Sequence, residues 1–163
     1  MPRRLILLAL ILCACAAPAP GIPVTLERVQ DGDTVRIRLQ GRSERLRLIG
    51  IDAPELAQRP WGNAARSALE RTLQGRRLRL EFDRDRQDRY GRLLGWLWAE
   101  GSGRPTLVNA ELVRAGQAYV YARSPLRHRA ELEAAEREAR TARRGVWGPD
   151  GPRERPSEYR RRR

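Results

Sequence analysis

The sequence predicts an α+β domain, mainly β, in which five strands form a small barrel and about three helices pack around it. The chain has 163 residues, a length typical of one domain. Five short runs alternate apolar and polar residues, as strands do, and other segments have helical spacing. Both cysteines, Cys13 and Cys15, lie near the amino terminus, so the domain depends on its hydrophobic core and not on a disulfide.

The alternation of apolar and polar residues predicts the five strands one by one. They cover Val24–Val29, Thr34–Leu39, Arg45–Ile51, Leu78–Phe82 and Arg92–Trp98. Asp31-Gly32 lies between the first two runs and Gly41 between the second and third, and both are tight-turn signals. The first three strands are therefore expected to form a meander.

Helical spacing is found in three segments. They are Ala64–Leu73, which ends before Gly75, then Leu107–Ala115, and finally a long segment from Ser124-Pro125 to Gly145. Ser followed by Pro is a typical helix start. Five strands combined with helices on a basic chain favour a closed or partly open barrel of the OB type, which commonly binds nucleic acids or oligosaccharides.

The first fifteen residues predict an export signal. Arg3 and Arg4 precede the apolar run Leu5–Leu12, and Cys15 ends a lipobox-like motif, which predicts that Cys15 is lipidated. An ordinary secretory signal, cut near Ala16 or Ala19, is the alternative. In both cases we expect an exported protein, either a lipoprotein of the periplasm or outer envelope or a secreted protein, with a tether at 16–23.

The formal net charge of +13 comes from 33 basic residues, all arginine, against 20 acidic ones. Such a charge predicts attraction to polyanions without saying which. Because arginine is so common here, one arginine says little by itself. After a folded domain at 24–148, residues 149–163 are rich in Pro, Gly, Arg and Glu, and we expect a disordered basic tail.

Three carboxylates lie where predicted strands end. Asp33 follows the first hairpin turn, Asp52 leaves the third strand, and Glu55 follows a turn at Pro54. Such an oxygen-only cluster suits a hard cation such as Ca²⁺ or Mg²⁺. The single histidine, His128, is expected to be a solvated helix residue. Each motif has a plain structural alternative, since Asp-Gly usually marks a turn.

Several motifs occur together and in order. They are Val29-Gln30-Asp31-Gly32-Asp33-Thr34, Arg47 to Glu55, Asp88 to Arg92, Ala118 to Tyr121, and Gly145-Val146-Trp147. With these motifs the chain resembles the thermonucleases, the staphylococcal nuclease-like (SNase-like) family of Ca²⁺-dependent phosphodiesterases, over residues 24–148. The resemblance implies a five-stranded OB-fold barrel with three helices.

The resemblance also implies residue roles. Asp33, Asp52 and the carbonyl of Ala53 would bind Ca²⁺, Glu55 would act as general base, and Arg47 and Arg92 would hold the scissile phosphate. The implied substrate-binding residues are Arg89, Tyr90, Tyr119 and Tyr121. The expected protein is a monomeric nuclease acting on DNA and RNA, which meets a membrane only through a lipid anchor. The alternatives are a catalytically inactive nucleic-acid-binding module and an envelope lipoprotein with a structural role.

Overall fold

A computed structural model describes residues 17–101, 103–121 and 125–162. The predicted export signal with Cys15, and Ser124 at the predicted helix start, lie outside these residues. The strands are β1 (Ile22–Val29), β2 (Thr34–Leu39), β3 (Arg42–Leu48), β4 (Ile51–Asp52), β5 (Arg77–Glu81), β6 (Leu93–Glu100), β7 (Thr106–Leu107) and β8 (Tyr119–Val120). The α-helices are α1 (Trp61–Leu73), α2 (Val108–Arg114), α3 (Arg129–Thr141) and α4 (Pro156–Arg161), and a short 3-10 helix covers Gly145–Trp147.

The five longer strands close into a barrel. β1 pairs antiparallel with β2 and with β5, β2 pairs with β3, and β5 pairs with β6. A parallel pairing of β3 with β6, from Leu46 opposite Leu93 to Leu48 opposite Gly95, closes the ring. The predicted fold class, a five-stranded OB-fold barrel of α+β type, is confirmed. Closure leaves no free edge among these five strands, and it brings the β1–β2 turn and the β5–β6 loop to the same rim.

The third strand ends earlier than the sequence predicts. It stops at Leu48, and Gly50 turns the chain with a φ of 76° before the two residues of β4. Glycine reaches this left-handed conformation without the strain that a Cβ would cause. The turn sends Asp52 to a second small sheet, where it lies opposite Tyr119 of β8.

Apolar side chains of the strands and helices form one hydrophobic core. Trp96 of β6 is fully buried with its ring against His128, and α1 packs Ala65, Leu69 and Leu73 against the strands. These three residues have the spacing that predicts the helix. The core supplies a rigid frame for the loops at the rim.

His128 is not the solvated residue that the sequence predicts. The helix α3 begins at Arg129, and His128 lies just before it with a side chain that is 19% exposed. Its ring packs edge-on against Trp96 and Trp98, and its Nε2 lies 2.9 Å from Glu81 Oε2. The barrel strands provide these partners, which local sequence does not reveal.

Both ends of the described chain are more ordered than expected. At the start of the barrel, Ala19 is buried and donates its N–H to Glu100 Oε1 at 2.8 Å, and Ile22 and Pro23 already pair with β5. The predicted tether thus ends closer to residue 18. Beyond residue 149, the helix α4 replaces the predicted disorder, with Pro156 buried. None of the helices in the described part of the chain is long and apolar enough to cross a bilayer.

Candidate active site

An open cleft of about 1410 Å³ lies on the rim of the barrel. Its walls come from the β1–β2 turn, the end of β3, the segment after β4, the β5–β6 loop and α4. The predicted site residues among its lining are Asp33, Arg47, Ala53, Glu55, Arg89, Tyr90, Arg92 and Tyr121. The fold therefore gathers on one surface residues that are up to 88 positions apart in the chain.

The β1–β2 turn fixes Asp33 in the floor of the cleft. Asp31 Oδ1 accepts the N–H of Asp33 at 3.0 Å, and the N–H of Ala53 donates to Asp33 Oδ2 at 2.7 Å. Gly32 is needed here, because a Cβ at this position would lie 2.6 Å from Ala65 and 2.7 Å from Ala53. The close approach of the turn to α1 buries the Asp33 side chain.

Arg47 joins the two aspartates. Its Nη1 lies 3.1 Å from Asp33 Oδ2, and its Nη2 lies 3.2 Å from Asp52 Oδ1. The side chain of Arg47 is 14% exposed, and those of Asp33 and Asp52 are 9% and 3% exposed. Arg47 lies opposite Thr34 in the β2–β3 pairing, so the barrel register sets its place beside Asp33.

The buried position of Asp33 changes its acidity. Loss of solvent raises the pKa of this carboxyl from 3.8 to about 7, although the Arg47 guanidinium acts in the opposite direction. The nearby carboxylate of Asp31 raises the pKa further, and the hydrogen bond from Ala53 lowers it. A buried carboxyl of this kind favours either a proton or a cation beside it.

Glu55 lies in a tight turn between β4 and α1. Gln58 is buried, and its Oε1 accepts the N–H of Glu55 at 2.9 Å, while the N–H of Gln58 donates to Glu55 O at 2.8 Å. Gly62 lets α1 approach this turn, since a Cβ there would lie 2.1 Å from Glu55 O. Gln58 is a positioning residue that sequence reasoning missed. Glutamine three residues after a carboxylate is too common a pattern to single it out.

Asp88 holds Arg92 on the opposite wall. Its Oδ2 accepts from Arg92 Nε at 2.7 Å, and its Oδ1 accepts the N–H groups of Tyr90 and Arg92 at 2.9 and 3.0 Å. Desolvation alone would raise the pKa of Asp88, but these hydrogen bonds and the Arg92 charge outweigh it and leave the pKa lowered. The carboxylate therefore stays ionised and keeps Arg92 directed along the cleft.

Arg89 and Tyr90 form an exposed edge beside Arg92. Tyr90 is 59% exposed, and the Arg89 guanidinium carbon lies 4.8 Å from the centre of its ring. Arg45 Nη2 donates to Tyr90 O at 3.1 Å and ties this loop to β3. Arg45 is a second contributor to the site that the sequence did not single out, because arginine is so frequent.

The two tyrosines at β8 do not share a surface. Tyr121 lines the cleft, and its N–H donates to Gly50 O at 2.8 Å. Tyr119 is buried, with its ring centre 5.0 Å from that of Trp147, and it is not part of the cleft lining. The sequence predicts one face for both, but the strand covers only Tyr119 and Val120, so Tyr121 leaves the pleat.

Arg160 of α4 reaches into the cleft from the carboxyl-terminal end. Its Nη2 lies 3.1 Å from each carboxylate oxygen of Asp52, and its Nη1 lies 2.6 Å from Glu55 Oε1. Burial of Arg160 opposes its charge, but the hydrogen bonds to these carboxylates raise its pKa above the usual value for arginine. Asp33, Arg47, Asp52, Arg160 and Glu55 thus form a chain of alternating charges.

The carboxylate oxygens of the site are suitable ligands for a hard cation, although in this structure they pair with guanidinium groups. In the part of the chain that the structure describes, no three His, Cys, Asp or Glu side chains are grouped so as to hold a metal ion. Asp33 and Asp52 nevertheless flank a single guanidinium, and they offer only oxygen atoms, as Ca²⁺ requires. These two residues would hold the ion, together with the carbonyl of Ala53.

Comparison with known proteins agrees with the fold. The Staphylococcal nuclease homologue family matches residues 45–149. The chain is 35% identical to a thermonuclease of Staphylococcus intermedius over 75% of its own length and 74% of the relative's, and 32% identical to a thermonuclease of Staphylococcus hyicus over 74% and 72%. It is also 34% identical to an uncharacterized endonuclease of Escherichia coli over 77% and 76%. The chain belongs to the staphylococcal nuclease family.

Proposed function

We propose that this nuclease hydrolyses the phosphodiester bonds of DNA and RNA with little sequence preference, uses Ca²⁺ as its cofactor, and works outside the cytoplasm. The observation that carries the proposal is the placement of Arg47, Arg92 and Glu55 around one open cleft, beside the buried pair Asp33 and Asp52. A module that only binds nucleic acid needs the arginines and the aspartates that hold Arg47, but it has no use for Glu55, which pairs with neither Arg47 nor Arg92.

Arg47 and Arg92 suit a phosphate that is being attacked. Attack at phosphorus increases the negative charge on the nonbridging oxygens, and a guanidinium fork donates two parallel hydrogen bonds to such oxygens. Arg92 is held by Asp88 and Arg47 by two aspartates, so neither has to be reoriented when charge develops. Fixed donors of this kind stabilise the transition state more than the ground state.

Glu55 suits the role of general base. Its side chain is 38% exposed, so it reaches solvent at the cleft, while Gln58 fixes its backbone. A carboxylate in this position can orient a water molecule and accept its proton, which contributes roughly 10²- to 10⁴-fold to the rate. Bound Ca²⁺ would supply positive charge to polarise the phosphate group.

The lining of the cleft supports a broad substrate range. Arg89, Tyr90 and Tyr121 present guanidinium groups and phenol rings, which contact phosphates and the flat faces of bases. Sequence is read through base edges, and contacts to phosphate carry no sequence information directly. We therefore propose that single strands of either nucleic acid are substrates.

The location and state of the protein form a further part of the proposal. The basic residues, the apolar run and Cys15 of the first fifteen residues support export, with Cys15 acylated in the lipoprotein form. We propose a monomer that contacts membranes only through that lipid. Mass spectrometry of the native amino terminus tests the lipid: a diacylglyceryl adduct on Cys15 supports it, and an unmodified terminus beyond Cys15 contradicts it.

Cleavage assays test the catalytic proposal. The purified protein is incubated with single-stranded DNA, double-stranded DNA or RNA, with millimolar Ca²⁺ or with a chelator. We expect cleavage of DNA and RNA with Ca²⁺ and none with the chelator, and little activity in Arg92→Ala, whose folding is checked by circular dichroism. Absence of cleavage with Ca²⁺, or full activity in the chelator, would contradict the proposal.

A further inference from the structure

The segment 150–162, which we call the C-terminal arm, is fixed to the domain at several points. Gln58 Nε2 donates to Glu154 O at 3.1 Å, and Trp61 Nε1 donates to Asp150 O at 3.1 Å. The Arg155 guanidinium carbon lies 5.1 Å from the centre of the Tyr119 ring. The first part of the arm thus lies along the Glu55–Trp61 segment and over β8.

The arm also carries its own helix-start signal. Pro156 is the first residue of α4, and Glu158 Oε2 accepts the N–H of Arg155 at 3.0 Å. Proline at the first helical position and a glutamate that caps the backbone both favour a helix that begins here. The short helix points Ser157, Arg160 and Arg161 at the cleft.

Arg160 covers the two carboxylates that the chemistry needs. The side chain of Asp52 is only 3% exposed, and the Arg160 guanidinium spans both of its oxygens and one of Glu55. Asp52 does not appear in the cleft surface, whereas its neighbours Ile51 and Ala53 do. In this arrangement Arg160 of the arm contacts both carboxylate oxygens of Asp52, and Arg47 of the barrel contacts one of them.

A guanidinium and a calcium ion cannot hold the same carboxylate in the same way. Calcium binds carboxylate oxygens at about 2.3–2.6 Å and takes six to eight oxygens in all. A guanidinium that spans both oxygens of Asp52 occupies the directions that the ion would use. Arg160 also neutralises the charge that would attract the ion.

We propose that the C-terminal arm is autoinhibitory and that Arg160 competes with the divalent cation for Asp52 and Glu55. The inference rests on the proposed function, because it assigns Asp52 to cation binding. The arm can be displaced, because the Arg160 side chain is 44% exposed and its ion pairs are open to solvent. A cation at Asp52 repels the guanidinium, and a phosphate chain in the cleft competes with the carboxylates for it. The arm raises the calcium concentration that the enzyme requires.

Calorimetric titration with Ca²⁺, without nucleic acid, measures this competition directly. The variants are Arg160→Ala and, as a matched control, Arg66→Ala, which removes an arginine that pairs with Glu70 on the outer face of α1. If the arm is docked in about 90% of molecules, its release tightens apparent Ca²⁺ binding about tenfold. We expect that gain in Arg160→Ala and wild-type affinity in Arg66→Ala. Unchanged or weaker binding in Arg160→Ala overturns the proposal.

Hydrogen exchange gives a second readout that does not depend on activity. The N–H groups of Glu158 and Tyr159 donate to Arg155 O within α4. We expect Ca²⁺ to reduce their protection in the wild-type protein, because the short helix loses its support when the arm leaves. Protection that Ca²⁺ leaves unchanged overturns the proposal.

The outcomes separate the arm from the proposed function. If the wild-type protein is active and Arg160→Ala binds Ca²⁺ with the same affinity as the wild-type protein, the proposed autoinhibition is overturned and the proposed function is left intact. If Arg160→Ala binds Ca²⁺ more tightly but neither protein cleaves nucleic acid, the competition between Arg160 and the cation is supported and the proposed function is overturned. Absence of Ca²⁺ binding in both proteins overturns both.

Discussion

The Arg47 guanidinium lies 3.1 Å from the carboxylate of Asp33, and both side chains are almost completely buried. Arg47 also contacts Asp52, so one guanidinium joins two buried carboxylates, of which Asp52 is paired with Arg160 as well. The two aspartates are 19 positions apart in the chain, and the β2–β3 register and the turn at Gly50 bring both to Arg47. This contact connects the stability of the barrel rim with the chemistry of the cleft.

Replacement of Arg47 tests that connection. Arg47→Ala leaves the buried Asp33 without its guanidinium partner and Asp52 with Arg160 alone. The loss of one member of a buried ion pair costs about 3–5 kcal/mol of unfolding free energy. Arg47→Lys keeps the charge but not the fork, so we expect a smaller loss of stability with most of the activity gone. Urea unfolding measures the stability. A loss below about 1 kcal/mol in Arg47→Ala would contradict the buried pairing.

Gln58 is expected to act by positioning Glu55. In Gln58→Ala the N–H of Glu55 loses its acceptor, and the C-terminal arm loses one anchor. At saturating Ca²⁺, where the arm no longer limits cation binding, we expect the displaced base to lower kcat by about 10- to 100-fold with little change in KM. Asn63→Ala, an exposed change in α1, serves as the control. Steady-state kinetics on a short DNA oligonucleotide measures kcat and KM separately. An equal rise in KM with unchanged kcat would assign Gln58 to substrate binding instead.

We expect calcium to stabilise the protein less at acid pH than at alkaline pH, because Asp33 holds a proton at acid pH. Its pKa is raised from 3.8 to about 7, so between these values the ion-free folded protein holds a proton that the unfolded chain lacks. That proton stabilises the fold below about pH 4, and the contribution is lost as pH rises through about 7. Calcium needs the ionised carboxylate, so its binding has to displace the proton at low pH.

Thermal unfolding at pH 5 and pH 8 measures this effect. We expect saturating Ca²⁺ to raise Tm more at pH 8 than at pH 5, with most of the difference removed in Asp33→Asn. Equal increases in Tm at the two pH values in the wild-type protein would contradict the role of Asp33.

The sequence revealed the fold and the parts of the site that lie in short motifs. Strand alternation located the five barrel strands, and the Asp31–Thr34 and Arg47–Glu55 motifs led to residues that the structure places on one cleft. Local composition failed where tertiary contacts decide the outcome. Pro, Gly and Arg beyond residue 149 predict disorder, yet Gln58 and Trp61 bind that segment, and among 33 basic residues nothing marked Arg160.

We propose above that Glu55 and its neighbours make this cleft a calcium-dependent catalytic site. The most direct test is the single-turnover rate of oligonucleotide cleavage at saturating Ca²⁺ for the wild-type protein and Glu55→Ala. We expect cleavage by the wild-type protein and a rate about 10²- to 10⁴-fold lower in Glu55→Ala, with nucleic-acid binding retained. Cleavage by Glu55→Ala at the wild-type rate would contradict it.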